Sequence, residues 1–196
     1  MGNMPADRVI TEANTESLRR SRPAADDVRR RVVEVVSDTT RLQLPTDHSA
    51  LDLYLALLQD RLPVYVGTVS EVLGRVGQGT VRENLRDAAR ATIDFYCQIL
   101  AAKLAVIADP LQVARLRQVL LKRGMGQHQA EENVARYLRL ERDAGGVGAG
   151  VEPGAVARLL IGACINYAFN RLLMGESEIP ERGEYAADIV RGISLG

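Results

Sequence analysis

One segment constrains this chain more than any other. From Val156 to Met174, apolar side chains fall on nearly every face of a helix: Val156, Leu159, Leu160, Ile161, Ala163, Cys164, Ile165, Tyr167, Ala168, Phe169, Leu172 and Leu173. Arg158, Asn166, Asn170 and Arg171 interrupt it, which makes it too polar for a membrane span. A helix that is apolar all round must be covered all round. A chain of 196 residues has few other helices to wrap round it, so its own fold is expected to cover one side and a second copy the other. Gly162, Ala163, Cys164 and Ala168 are small enough for close helix approach. Leu160, Ile161, Cys164 and Ala168, with Ile189 and Val190 of the last helix, are the expected homodimer contacts. Two such helices and their symmetry mates would make a four-helix bundle. The plainer alternative is a single core helix in a monomer.

The rest of the chain predicts an all-α fold. No segment alternates with period 2 between turn residues, whereas helical spacing recurs with start and stop signals around it. Residues 1 to about 22 read as a loose polar arm, followed by a helix from Pro23 to Asp38. Thr46 or Asp47 is expected to open a helix that kinks at Pro63 and continues to about Val76. Thr80-Val-Arg-Glu83 is a capping box, opening a helix with Leu85, Ala88, Ala89, Thr92, Ile93, Tyr96, Leu100 and Leu104 inward. Further helices are expected from Pro110 to Arg123, Gln127 to Arg142, Pro153 to Met174 and from Pro180 onward, with a flexible glycine-rich loop, Gly145 to Gly150, before the apolar one. Two regions follow: residues 1–47, an arm and short helix, and residues 48–196, a ligand-binding and dimerisation domain.

Chemistry is sparse. Lys and Arg number 25, against 25 Asp and Glu, so no overall field draws the chain to nucleic acid or an anionic membrane. Cys97 and Cys164 sit in apolar contexts without a CxxC or a Cys/His cluster, and the N-terminus shows no apolar core of a signal peptide, so a reducing, cytoplasmic setting is expected. His48 and His128 lack a His or Cys partner at helical spacing, which argues against a metal site and against an enzyme. The glycine run lacks the Lys-Ser/Thr of a phosphate loop. No cofactor is expected.

A ligand pocket is better supported. Tyr65, Phe95, Tyr96, Tyr167 and Phe169 fall on the long middle helices, and tyrosine joins an apolar body to a polar tip. Asn166, within an apolar run, needs a hydrogen-bond partner if buried. Tyr65, Phe95, Tyr96, Asn166 and Phe169 are therefore the expected lining of a cavity for a small, apolar or amphipathic effector. Simple core packing is the alternative role for each.

The order and spacing of these segments resemble the TetR family of one-component bacterial regulators. SRPAADDVRRRVVEVV (Ser21 to Val36) looks like that family's basic arm and first helix, and SALDLYLALLQDRL (Ser49 to Leu62) like the start of its long fourth helix. TVRENLRDAARATIDFY (Thr80 to Tyr96) and VEPGAVARLLIGACINYAFNRLLMGE (Val151 to Glu176) resemble its core and dimerisation helices. The resemblance implies a dimeric, effector-binding transcriptional regulator. The family reads DNA with a helix-turn-helix that needs on the order of 20 residues, yet only Thr39 to Asp47 separate the first-helix match from the fourth-helix match. Either the reading unit is deleted or the N-terminal segment folds differently. A basic stretch that includes Arg29, Arg30 and Arg31 offers phosphate attraction, which carries no base readout by itself. The other reading is a ligand-sensing or interaction module that does not touch DNA.

Overall fold

The computed structural model describes residues 49–123 and 126–196. The first expected helix, the basic stretch with Arg29, Arg30 and Arg31, and the whole of residues 1–47 lie outside the described residues. Within them the fold is all-α, with no strand. Six α-helices follow in order: α1 Ala50–Leu73, α2 Val81–Ile107, α3 Pro110–Arg123, α4 Gln127–Asp143, α5 Pro153–Met174 and α6 Arg182–Gly192, with a 3-10 turn at Glu176–Glu178 before the last. None of the described helices is long and apolar enough to cross a membrane.

Local signals set most of these limits. Ser49 caps α1, its hydroxyl accepting from the Asp52 amide while the Asp52 carboxylate accepts from the Ser49 amide. The start therefore lies just after the Thr46 or Asp47 expected, because Ser-x-x-Asp satisfies two orphan amides at once. The helix runs through Pro63 and stops at Leu73, capped by Gly74. Thr80 and Glu83 form the expected box on α2, and these hydrogen bonds from Thr80 hold the Glu83 carboxyl below its ordinary range. Asp109 accepts from the Leu111 amide in front of Pro110. Proline opens α5, which ends where Gly175 takes φ of 90°. Glu181 caps α6 through the amides of Gly183 and Glu184, so that helix begins at Arg182, after Pro180.

The central helix is α2, which packs against α1, α3, α5 and α6. Its first half joins a core with the end of α1, α4, α5 and α6, around Leu85, Ile93, Tyr137, Leu138, Leu160 and Ile161. Its second half joins another with the start of α1 and with α3, around Tyr54, Leu58, Phe95, Tyr96, Ile99 and Leu116. A buried polar chain pins the α1–α2 turn to α4. The Gly77 amide donates to Glu141 Oε1 at 3.0 Å, and Asn84 Nδ2 donates to Gln78 O at 3.0 Å and to the Tyr137 hydroxyl at 2.9 Å. Tyr137 bonds Glu141 in turn, and burial, with that carboxylate beside it, pushes the phenol up to about 12. The glycine-rich loop was expected to be flexible, yet it is packed. Val147 is buried in the first core, and the Gly148 amide donates to Leu195 O at 2.8 Å, which fixes the C-terminal tail there.

The face that α5 turns inward differs from the expectation. Leu160, Ile161 and Cys164 have 0% of their surface exposed, and Ala168 and Val190 are buried with them. Ile189 is half-buried against the first core. Leu160, Ile161, Cys164, Ala168 and Val190 are packed within their own chain and leave almost no surface for a partner, whereas Ile189 keeps part of its surface. Leu160→Ala is expected to destabilise the fold by about 2–5 kcal/mol, read as a shifted urea midpoint. A change near zero would mean that Leu160 faces outward after all.

A candidate ligand cavity and an uncovered helix face

A partly open cavity of about 180 Å³ lies between α1, α2, α3 and the start of α4. Helix α1 contributes Tyr54, Leu58, Leu62, Tyr65, Val66 and Val69, and α2 contributes Phe95, Tyr96, Ile99 and Lys103. Leu120 of α3 and Gln129, Ala130 and Asn133 of α4 complete most of the wall. Ala130 of α4 and Gly126 just before that helix are the small residues on this wall. A concave, mainly apolar space with a few convergent polar groups is the usual form of a small-molecule site.

The aromatic wall is held in place. Tyr65 and Phe95 stack with ring centroids 4.4 Å apart, and Tyr96 meets Phe95 edge-on at 5.4 Å. The Thr92 hydroxyl donates to Ala88 O at 2.7 Å, so the Tyr65 hydroxyl, 3.2 Å from Thr92 Oγ1, is the donor in their bond. This bond clips α1 to α2 two residues past Pro63. Burial raises the phenols of Tyr54, to about 12, and of Tyr65 and Tyr96. All three are neutral, uncharged walls at physiological pH.

Behind the Tyr65–Phe95 stack lies a wider groove of about 510 Å³, shared by the same two rings and lined by Arg61, Asp87, Arg90, Asp94 and Gln98. Asp94 pairs with Arg182, Asp87 with Arg75 and Arg61 with Asp60. Gln98 Oε1 is buried there without a hydrogen-bond partner. The groove carries more charged side chains and is the more open of the two. The cavity with the aromatic and aliphatic wall is the better fit to an apolar ligand, and the stacked pair is shared by both.

Of the five residues expected to line one cavity, Tyr65, Phe95 and Tyr96 come together there. Asn166 and Phe169 do not. Both are exposed on α5, Phe169 by 39%. Sequence reasoning overlooked Tyr54, Ile99 and Lys103. A signal for Lys103 was present, since it lies seven residues after Tyr96 and four after Ile99, on the inward stripe of α2, where a lysine is out of place.

The outward face of α5 is the second feature of note. Leu159 is 67% exposed, Phe169 39% and Leu173 41%, with Gly162 and Asn166 exposed between them. These five positions are spaced 3-4-3-4 along the chain. That is the spacing of a coiled-coil seam, in which apolar knobs on one helix enter holes on a facing one. The bundle has covered one side of α5 and left the other apolar and free.

No family model, curated protein or solved structure matches this chain. The cavity and the seam therefore carry the functional reading by themselves. Ala130→Leu, which places a larger side chain into the cavity, is expected to leave the melting temperature within a few degrees. The same variant is expected to abolish fluorescence enhancement of the apolar probe N-phenyl-1-naphthylamine. Unchanged probe binding would place the probe elsewhere.

Proposed function

We propose that this chain is a TetR-like regulator whose homodimeric helical core senses a small apolar or amphipathic effector, and that it works as a sensor instead of an enzyme. The observation that supports it is the pairing of two features in one bundle: a partly open aromatic cavity between α1, α2 and α4, and a mainly apolar seam on α5 that is exposed among the described residues. The seam now consists of Leu159, Gly162, Asn166, Phe169 and Leu173. Asn166 takes the part of a polar seam residue, which fixes register when paired with its twin at some cost in stability. Exposed apolar stripes of this length favour association, because covering them removes oily surface from water.

A second reading is a sensing or interaction module of the same ancestry that does not read DNA. The spacing Thr39 to Asp47 favours it, since that stretch is too short for two helices and a turn. Fluorescence anisotropy with DNA flanking the gene separates the two readings. Tight binding at moderate salt that rejects scrambled DNA supports the regulator. Weak binding that salt erases supports the module.

Light scattering on the full chain is expected to give the mass of two copies at micromolar concentration. Leu159→Glu combined with Phe169→Asp is expected to give one copy with unchanged helical content, because both side chains point away from the core. A wild-type mass of one copy would remove the dimer.

A further inference from the structure

Among the described residues, Lys103 is the only charged one on the wall of the α1–α4 cavity. Around it stand Tyr54, Tyr96, Ile99 and Leu120, none of which carries a charge that could balance an ammonium. Its Nζ lies 5.9 Å from the centroid of the Tyr96 ring, and it makes no salt bridge among the described residues. Burial alone is what acts on it, lowering the amine below its ordinary pKa, with no carboxylate to raise it again.

Lys103 is half-buried, and its ammonium lies over the Tyr96 face with no carboxylate paired to it among the described residues. The group that completes its pairing is an anion brought in by the ligand. Across the cavity, Gln127 and Gln129 of the first turn of α4 line the wall, and Glu131, one turn after Gln127, stands near enough to raise the Tyr96 phenol. Gln129 and Asn133 supply neutral hydrogen-bonding groups, and the rest of the lining is aromatic and aliphatic. At about 180 Å³ the space is below the roughly 300–1,000 Å³ typical of drug-sized ligands, so the occupant is small.

We infer that the effector is a small organic carboxylate, with an aromatic or short aliphatic body packed on the Tyr65–Phe95–Tyr96 wall and its carboxylate paired with the Lys103 ammonium. This rests on the proposal that the cavity holds the effector, and goes beyond it in naming the charge of the ligand and the residue that selects it. A lysine that merely lays its stem over apolar surface and holds its head toward water would show no such selectivity.

The test uses the full chain and four probes in two matched pairs: octanoate with octanamide, and phenylacetate with phenylacetamide. Each pair keeps the body and removes the charge. Titration calorimetry on the wild type is expected to show each carboxylate binding about tenfold or more tighter than its amide, as a charge-assisted bond does over a neutral one. Lys103→Met, which keeps the stem, is expected to remove that preference and leave amide affinity unchanged, and Lys103→Arg to restore most of it. Equal binding of acid and amide by the wild type, with Lys103→Met altering neither, overturns the carboxylate inference and leaves the effector cavity standing. Should Lys103→Met fail to fold, the acid-against-amide ratio in the wild type decides alone. Failure of all four probes to bind overturns the effector cavity and the inference together. Binding of the probes that survives Ala130→Leu unchanged does the same.

Discussion

The contact between α2 and α5 sets everything else in this bundle. Small residues make it possible: Ala88 and Ala89 on α2, Ala157 and Cys164 on α5, all essentially free of solvent. The Cys164 thiol reaches the Ala89 carbonyl at 3.6 Å across the interface, and burial pushes that thiol up to about 12, so it stays protonated and inert. Short side chains let the backbones approach, and Leu160 and Ile161 fill the remaining space against Leu85 and Ile93. Once those residues are committed inward, the rotation of α5 about its axis is fixed. Leu159, Phe169 and Leu173 then have nowhere to go but outward, and α6 covers only a flank. Tyr167, donating to Pro180 O, and Arg82, donating to Val190 O, hold α6 in that position.

The same contact leaves the second half of α2 free to build a different environment. Past Thr92 the helix stops packing on small residues and presents Phe95, Tyr96 and Ile99 to α1 and α3. Ring-sized side chains of α1 and α2 face Gln127, Gln129, Ala130 and Asn133 of α4 across the cavity. Further along α4 the packing tightens again around Val134, Tyr137 and Leu138, and the Asn84–Tyr137–Glu141 chain locks it to the α1–α2 turn. The cavity thus lies between two well-fixed places, the Tyr65–Thr92 clip and the Tyr137 network.

Helix limits were legible in the sequence wherever a side chain itself satisfies a helix end. Thr80 with Glu83, Asp109 with Pro110, and Pro153 with Gly175 each put a start or stop where it was expected. The inward face of α2 was legible too: Leu85, Ala88, Ala89, Thr92, Ile93, Tyr96 and Leu100 are all buried, and Leu104 partly so. That helix alternates charged and apolar residues, so its pattern has a phase. Helix α5 has none. Apolar residues on every face announce that the helix must be covered twice but not which side meets which cover, and the dimer contacts were assigned to the side that its own chain takes. Asn166 misled for a related reason: in an apolar run it looks buried, whereas the rotation fixed by Cys164 carries it outward. The packed glycine loop was hidden as well, because its anchor is Leu195, far away in sequence and joined to it only by the fold.

Under the reading proposed here, the cavity and the seam are close enough to influence one another. Ala168 is buried in the core that surrounds the cavity, and Ile165 packs against both cores. On the same helix, one residue along from each, Asn166 and Phe169 stand on the seam. Among the described residues α5 lines no part of the cavity and reaches the aromatic wall only through that shared core. Coupling through that core requires only that the ligand prefer one rotation of α5 over another, since a ligand shifts an equilibrium by no more than its difference in affinity for the two states. Close packing passes such a preference on as movement of whole side chains, because interiors have little free volume to absorb it. The linkage is reciprocal: whatever the effector does to pairing of the two copies, pairing does to the affinity for the effector. Under that reading the exchange runs through Ile165, which packs against both cores beside the outward Asn166, and through Ala168, buried in the second core beside the outward Phe169.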